Sequence, residues 1–151
     1  MDRLDLFVDK LQETIFDEAR EAFGENGFQR WRNPRFHGRM KNPHGSARVT
    51  GDCGDTMEIY LQFENNRVKK ASYFTDGCAS SGIAGSFAAE LALGKDPDTL
   101  ADMTGAEVLA AIGRLPPENE HCADLAAATV REAVGRYIQK NLRQKKAGNL
   151  Q

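Results

Sequence analysis

Hydrophobic residues near the start of the chain recur at helical spacing. Between Leu4 and Ile15 they lie three or four positions apart, and Asp and Glu fill the other side. This pattern predicts an acidic amphipathic helix that ends near Gly24. Residues Phe28–Arg48 differ, since they hold six basic residues, two prolines and no acid. We expect that stretch to be irregular and to dock on an acidic surface such as the N-terminal helix.

The hydrophobic period changes to two at Thr56. Apolar and polar residues alternate as far as Phe63, which predicts a half-buried strand over Thr56–Phe63. Glu64–Arg67 supplies a turn, and Val68–Thr75 returns as a second strand whose imperfect alternation predicts a bulge. Ser46–Thr50 is expected to form a short third strand at the edge of the sheet.

Helical patterns follow the strands. Ile83–Leu91 has apolar residues every four positions and is closed by Gly94. Thr104 begins a capping box ahead of a second helix, and a long helix carries the apolar residues of Leu125–Leu142. A hairpin followed by helices predicts an α+β fold, in which the helices pack on one face of a small three-stranded antiparallel sheet.

Composition narrows the class of protein. A chain of 151 residues is long enough for one ordinary core, and its net charge of −2 gives no general attraction to nucleic acid or to an anionic membrane. The N-terminus carries acids where a signal peptide would carry bases, and no apolar run is long enough to span a membrane. Three cysteines without a Cys-x-x-Cys pair favour a reducing compartment, so we expect a cytoplasmic protein.

The three cysteines carry the chemistry of this chain. Cys53, Cys78 and Cys122 each lie within two residues of an Asp. Nearby negative charge keeps a thiol protonated unless a metal cation replaces the proton, so the pattern favours a metal or cluster site over a nucleophile. The hairpin should bring Cys53 and Cys78 together. Cys122 opens the long helix, where the positive end of the dipole favours a thiolate.

Three sulfurs leave a tetrahedral site one ligand short. Asp55 lies in the Cys53 loop and His121 precedes Cys122, so either can complete it. Thiolates with one harder ligand suit zinc or an iron–sulfur cluster, and a mixed set should hold a cluster less tightly than four cysteines would.

Two other functions compete with the metal site. The first is an enzyme that uses Cys122 and His121 as nucleophile and base, although adjacent helical residues are expected to point apart. The second is a nucleic-acid binder that uses the Arg30–Arg48 segment.

At these positions the chain resembles the IscU/NifU type of iron–sulfur cluster assembly scaffold. The resemblance runs from about Trp31 to Leu142 with the motifs in order. The matching strings are Asn33-Pro34-Arg35, Gly51-Asp52-Cys53-Gly54-Asp55, Thr75-Asp76-Gly77-Cys78-Ala79-Ser80-Ser81, Gly94-Lys95 and Leu115-Pro116-Pro117 followed by His121-Cys122.

The resemblance implies a compact α+β fold and a cluster site lined by Cys53, Asp55, Cys78, His121 and Cys122. In such proteins a cysteine desulfurase delivers sulfur, an iron donor supplies iron, and the nascent cluster passes to apo-proteins. Zinc can occupy the same ligands, so the alternative function is a zinc-binding, SufU-like protein that accepts sulfur from the desulfurase. The implied organisation is an N-terminal helix over residues 1–24 and a scaffold domain over 25–151.

Two departures qualify the resemblance. The helix Asp2–Phe23 is longer than the usual N-terminal lead, and we expect it to cap the domain or to dock a partner. Leu115-Pro116-Pro117 continues as Glu118-Asn119 instead of Val-Lys, which weakens the expectation that a dedicated Hsp70-type chaperone recognises the chain. The sequence leaves open whether the cluster is [2Fe–2S] or [4Fe–4S], and whether a homodimer shares one cluster.

Overall fold

The computed structural model describes residues 2–149. Five α-helices, three strands and one 3₁₀ turn follow one another along these residues. In chain order they are α1 (Arg3–Arg32), β1 (Gly45–Thr50), β2 (Thr56–Glu64), β3 (Arg67–Thr75), α2 (Ala79–Ala92), α3 (Pro97–Ala101), α4 (Gly105–Ile112), the 3₁₀ turn (Pro117–Asn119) and α5 (His121–Asn149). The predicted α+β class is confirmed, whereas the short helix α3 was missed by the sequence analysis.

The three strands form an antiparallel sheet in the order β1–β2–β3. Asn65 and Asn66 have φ angles of 55° and 62°, which suit the tight turn of a β-hairpin. The predicted bulge is also present, because Gln62 pairs with Lys70 while Phe63 pairs with Val68. Met57 pairs with Thr75, so the start of β2 and the end of β3 lie next to each other at the open end of the hairpin.

The core lies between the sheet and the helices. Met57, Ile59 and Leu61 of β2 are fully buried, as are Val130 and Val134 of α5. Period-two alternation in β2 and helical spacing in α5 thus supply the two apolar surfaces of one core. Thr104 is the N-cap residue of α4, since the backbone N–H of Glu107 donates to its hydroxyl at 3.2 Å, which is one of the two hydrogen bonds of the predicted capping box.

Helix α1 corrects one boundary of the prediction. The chain breaks its helical geometry at Gly24 (φ 72°), as expected, but it resumes and stays helical to Arg32. Phe28 explains the extension, because its side chain is fully buried and its ring lies 5.7 Å from that of Phe16. The expectation of irregular backbone from Phe28 was therefore wrong for its first five residues.

Arginines of the basic stretch Phe28–Arg48 form ion pairs with acidic residues outside the N-terminal helix. Arg30 and Arg35 each lie 3.0 Å from the carboxylate of Glu90 in α2. Arg39 lies 3.1 Å from Glu58 on β2. An acidic docking surface was expected, but α2 and the sheet supply it.

The first half of α1 leaves its apolar face exposed. Leu4 is 67% exposed, Phe7 64% and Leu11 50%. These side chains cover no part of the core, so the expectation that the helix caps the domain is not met by its first turns. None of the helices in residues 2–149 combines the length and apolarity that a bilayer crossing requires.

Candidate metal centre

Three chain segments meet at the open end of the β2–β3 hairpin. They are the loop between β1 and β2, the start of α2 and the start of α5. Each contributes one donor group, from Asp55, Cys78 and Cys122 respectively. One carboxylate oxygen and two sulfurs from these residues lie within 4.8 Å of one another. Residues separated widely in the sequence are thus brought into a single cluster.

Asp55 reaches the cluster because its loop is tightly closed. The backbone N–H of Gly51 donates to the carbonyl of Asp55 at 2.9 Å, and that of Gly54 donates back to Gly51 at 3.0 Å. Gly54 has φ 89°, a left-handed conformation that favours glycine. The pairing of β1 with β2 ends at Thr50 and Thr56, so the loop between these two residues directs Asp55 towards α2.

The Asp55 carboxylate is held by hydrogen bonds at the start of α2. Its Oδ2 accepts from the hydroxyl of Ser81 at 2.6 Å, and the thiol of Cys78 lies 3.7 Å away. These donors hold the pKa of Asp55 below its ordinary value, the Ser81 bond most of all, against the opposing effect of partial burial. The cluster therefore contains an ionised carboxylate beside the two sulfurs.

Burial decides the state of Cys122. Its side chain is fully buried, and loss of solvation raises its pKa to about 11, a shift to which the negative surroundings add. The start of a helix is expected to favour a thiolate, but burial outweighs the helix dipole at Cys122. The Cys122 proton therefore stays on sulfur until a cation displaces it.

Cys78 occupies the N-cap position of α2 and is exposed. Beside it lies a cleft of about 250 Å³, lined among others by Trp31, His37 and Tyr73. The cluster is therefore open to solvent on the side of Cys78 and buried on the side of Cys122.

Cys53 and His121 lie at the same corner but outside the group of mutually close donors. Both line a second cleft of about 590 Å³, together with Leu125 and Arg131. Cys53 is exposed. Its loop contacts Cys78 through the Asp55 carboxylate, which lies 3.7 Å from the Cys78 sulfur, and not through the Cys53 sulfur. The imidazole Nε2 of His121 lies 3.8 Å from Sγ of Cys122, so these adjacent side chains do contact, contrary to expectation.

Ser81 is the residue of the cluster that the sequence analysis missed. It is fully buried and contacts donor atoms from all three segments. Its signal was present, because Ser81 follows Cys78 by three positions and a helix places such residues on one face.

The donor set fits a thiophilic divalent ion or an iron–sulfur cluster. Two cysteine sulfurs and a carboxylate make three of the four ligands of a tetrahedral site, and a third thiol and an imidazole lie beside them. Each thiol must lose its proton to bind, which couples metal binding to proton release.

The sequence of this chain matches a known protein family and several named proteins. Residues 4–144 match the family model described as NifU-like N terminal domain. A protein of Archaeoglobus fulgidus named iron-sulfur cluster assembly scaffold protein IscU 1 is 34% identical over 120 residues, covering 79% of this chain and 78% of that protein. The scaffold protein IscU of Aquifex aeolicus is 27% identical over 131 residues, covering 85% and 83%.

Solved structures share the fold. The N-terminal part of a NifU-like protein from Brucella abortus has a TM-score of 0.61 at 18% identity, covering 80% of this chain and 97% of that one. A crystal structure described as a scaffold protein for the SUF system from Fervidobacterium islandicum gives 0.59 at 18% identity, covering 77% and 98%.

Proposed function

This chain belongs to the NifU-like N-terminal domain family, and we propose that it is a scaffold on which iron–sulfur clusters are assembled and from which they pass to apo-proteins. One observation carries the proposal: the donor atoms of Asp55, Cys78 and Cys122 lie within 4.8 Å of one another. Relatives that match most of the chain are named as cluster assembly scaffolds.

The donor set suits cargo that must later leave. Thiolates bind iron tightly, whereas a carboxylate is a harder ligand that exchanges more readily. Asp55 is the carboxylate of this set, and Ser81 holds it at the cluster through a 2.6 Å hydrogen bond. A site with mixed ligands therefore accepts a cluster and still releases it.

Cys53 and His121 are the proposed remaining ligands. Both line the 590 Å³ cleft beside the cluster, and His121 contacts the Cys122 sulfur. Their exposed positions leave them free to engage iron as it arrives. The full proposed ligand set is Cys53, Asp55, Cys78, His121 and Cys122.

The site supports a carrier role better than covalent catalysis by Cys122. A nucleophilic cysteine needs a thiolate, but burial raises the pKa of Cys122 to about 11. Its contact with His121 at 3.8 Å is long for a base that removes a proton. The proposed role is therefore non-enzymatic.

The scaffold role requires partners that supply sulfur and iron and partners that receive the assembled cluster. A cysteine desulfurase would supply sulfur, an iron donor would supply iron, and apo-proteins would receive the cluster. The expected setting is the reducing cytoplasm, where thiols stay free.

A second function is favoured by the compactness of the cluster. Three donor atoms within 4.8 Å match the size of a site for one ion as well as part of a cluster site. In that case the protein binds zinc and accepts sulfur from the desulfurase without building a cluster. Metal analysis of protein purified without oxygen separates the two functions, since iron with acid-labile sulfide identifies the scaffold.

Anaerobic reconstitution with ferrous iron, sulfide and a desulfurase tests the scaffold function. We expect visible sulfur-to-iron charge-transfer absorption in the wild type and its loss in Cys78→Ala and Cys53→Ala. Ser86→Ala is a control within α2 that leaves the donor cluster intact, because the Ser86 hydroxyl bonds to Arg30 and Arg35 instead. A wild-type protein that develops no such absorption would rule out the scaffold function.

A further inference from the structure

Ser81 lies at the centre of the donor cluster. Its hydroxyl oxygen is 2.6 Å from Oδ2 of Asp55, 3.4 Å from Sγ of Cys122 and 3.7 Å from Sγ of Cys78. Within residues 2–149 it is the one side chain that hydrogen-bonds to all three donor residues. Its complete burial leaves solvent unable to replace these bonds.

The start of α2 explains how Ser81 comes to this position. Cys78 is the N-cap residue, and Ser81 lies three residues later on the same face of the first turn. A serine inside a helix commonly bonds back to its own backbone. Here the hydroxyl bonds outwards to Asp55, which belongs to a different element of the fold.

The hydroxyl has one proton, and the geometry assigns it to the carboxylate. The bond to Asp55 is the shortest of the three, and a carboxylate is the strongest acceptor present. The lone pairs of the Ser81 oxygen are then left to accept from the thiols. This arrangement holds Asp55 in place beside the two sulfurs.

We propose that Ser81 is a positioning residue that fixes the Asp55 carboxylate against the Cys78 and Cys122 sulfurs before metal arrives. The inference rests on the proposed function, in which the ion at this site is the cargo of the scaffold. A carboxylate has two oxygens, so one can stay bonded to Ser81 while the other is free for an ion. Hydrogen-bonded partners of this kind orient metal ligands and strengthen binding.

Cobalt(II) binding to the full chain tests the inference, because its spectrum reports the ligands directly. We expect Ser81→Ala to weaken Co²⁺ affinity by about 10- to 100-fold. Its ligand-field bands should move to those of Asp55→Ala, while sulfur-to-cobalt charge transfer persists. The double variant Ser81→Ala/Asp55→Ala should bind no more weakly than Asp55→Ala alone, since Ser81 acts through that carboxylate.

Two further variants separate positioning from folding. Ser86→Ala removes an equally buried hydroxyl from the same helix without touching the cluster, so its Co²⁺ affinity and spectrum should stay those of the wild type. Ser81→Thr keeps the hydroxyl and should retain the wild-type spectrum. Wild-type affinity in Ser81→Ala, or a folded Ser81→Thr protein with the Asp55→Ala spectrum, would overturn the inference.

The experiment also separates this inference from the scaffold function. Co²⁺ titration needs no sulfide, iron or desulfurase. A protein that binds Co²⁺ in a Ser81-dependent way but assembles no cluster would refute the scaffold and leave the inference standing. A protein that assembles clusters but binds Co²⁺ equally well as Ser81→Ala would refute the inference alone.

Discussion

Gly77 and Asp55 pack so closely that a Cβ on Gly77 would lie 2.7 Å from Oδ2 of the carboxylate. The same Cβ would lie 2.9 Å from the hydroxyl of Ser81. Real Cβ atoms do not approach other atoms so closely, so the absence of a side chain at Gly77 leaves the space in which Asp55 and Ser81 meet.

The close approach predicts the effect of Gly77→Ala. The added methyl group should displace Asp55 from the cluster and weaken Co²⁺ or Zn²⁺ binding by about 10- to 100-fold, the range seen when a ligand loses its orientation. Competition with a chromogenic chelator measures this change.

Gly82→Ala is the matched control for that substitution. A Cβ on Gly82 would meet nothing within 4 Å, and the residue lies inside α2. We expect unchanged metal binding and a gain in the free energy of unfolding of up to about 1 kcal/mol from the higher helix propensity of alanine. Equal metal affinity in both variants would contradict the steric role of Gly77.

Asp55→Ala should alter cluster release. Removing the hard, exchangeable ligand should slow transfer to an apo-protein, because the remaining thiolates exchange slowly, even though the equilibrium affinity for a single Co²⁺ ion falls. Time courses of holo-protein formation measure the rate. Asp52→Ala is the control, because Asp52 is an exposed carboxylate of the same loop and lies outside the donor cluster. Faster cluster loss in Asp55→Ala than in Asp52→Ala would show that Asp55 retains the cluster instead of easing its release.

The raised pKa of Cys122 predicts a pH dependence of stability in the metal-free, reduced protein. Between about pH 9 and pH 11 the unfolded thiol ionises while the buried thiol keeps its proton, because the folded pKa rises from 9.0 to about 11. The unfolded state then binds fewer protons, so the free energy of unfolding falls as the pH rises. Two pKa units correspond to a loss of roughly 2–3 kcal/mol.

Cys122→Ser isolates this contribution from other groups that titrate in alkali, since serine does not ionise there. Denaturant unfolding of both proteins at pH 8.5 and pH 11 gives the difference. A fall in stability of the same size in the variant would show that Cys122 is not its source.

Stability should depend very differently on the two halves of α1. Leu11 is half exposed, so Leu11→Ser should change the free energy of unfolding by no more than about 0.5 kcal/mol. Phe28 is fully buried, so Phe28→Ala should cost about 3–5 kcal/mol. Denaturant unfolding of both variants measures the contrast, and a large loss in Leu11→Ser would mean that its face is covered in solution.

Local sequence patterns were sufficient to predict the elements of the sheet. Period-two alternation marked β2, two asparagines suited to positive φ marked the turn, and irregular alternation marked the bulge opposite Gln62. These features depend on neighbouring residues, which is why a single sequence contains them. The resumption of α1 after Gly24 was missed, because burial of Phe28 against Phe16 extends the helix through packing.

For the site as well, some properties follow from the sequence and others only from the tertiary structure. Cysteines beside acids pointed to a metal centre before any fold was known, since that depends on residue types and short spacings. Which donors meet, how burial raises the pKa of Cys122, and the place of Ser81 between Asp55 and the sulfurs depend on contacts between residues far apart in the sequence, such as Ser81 and Cys122, which are 41 residues apart. Distance and solvation are properties of the packed chain, so the order of residues could indicate candidate ligands but not their arrangement.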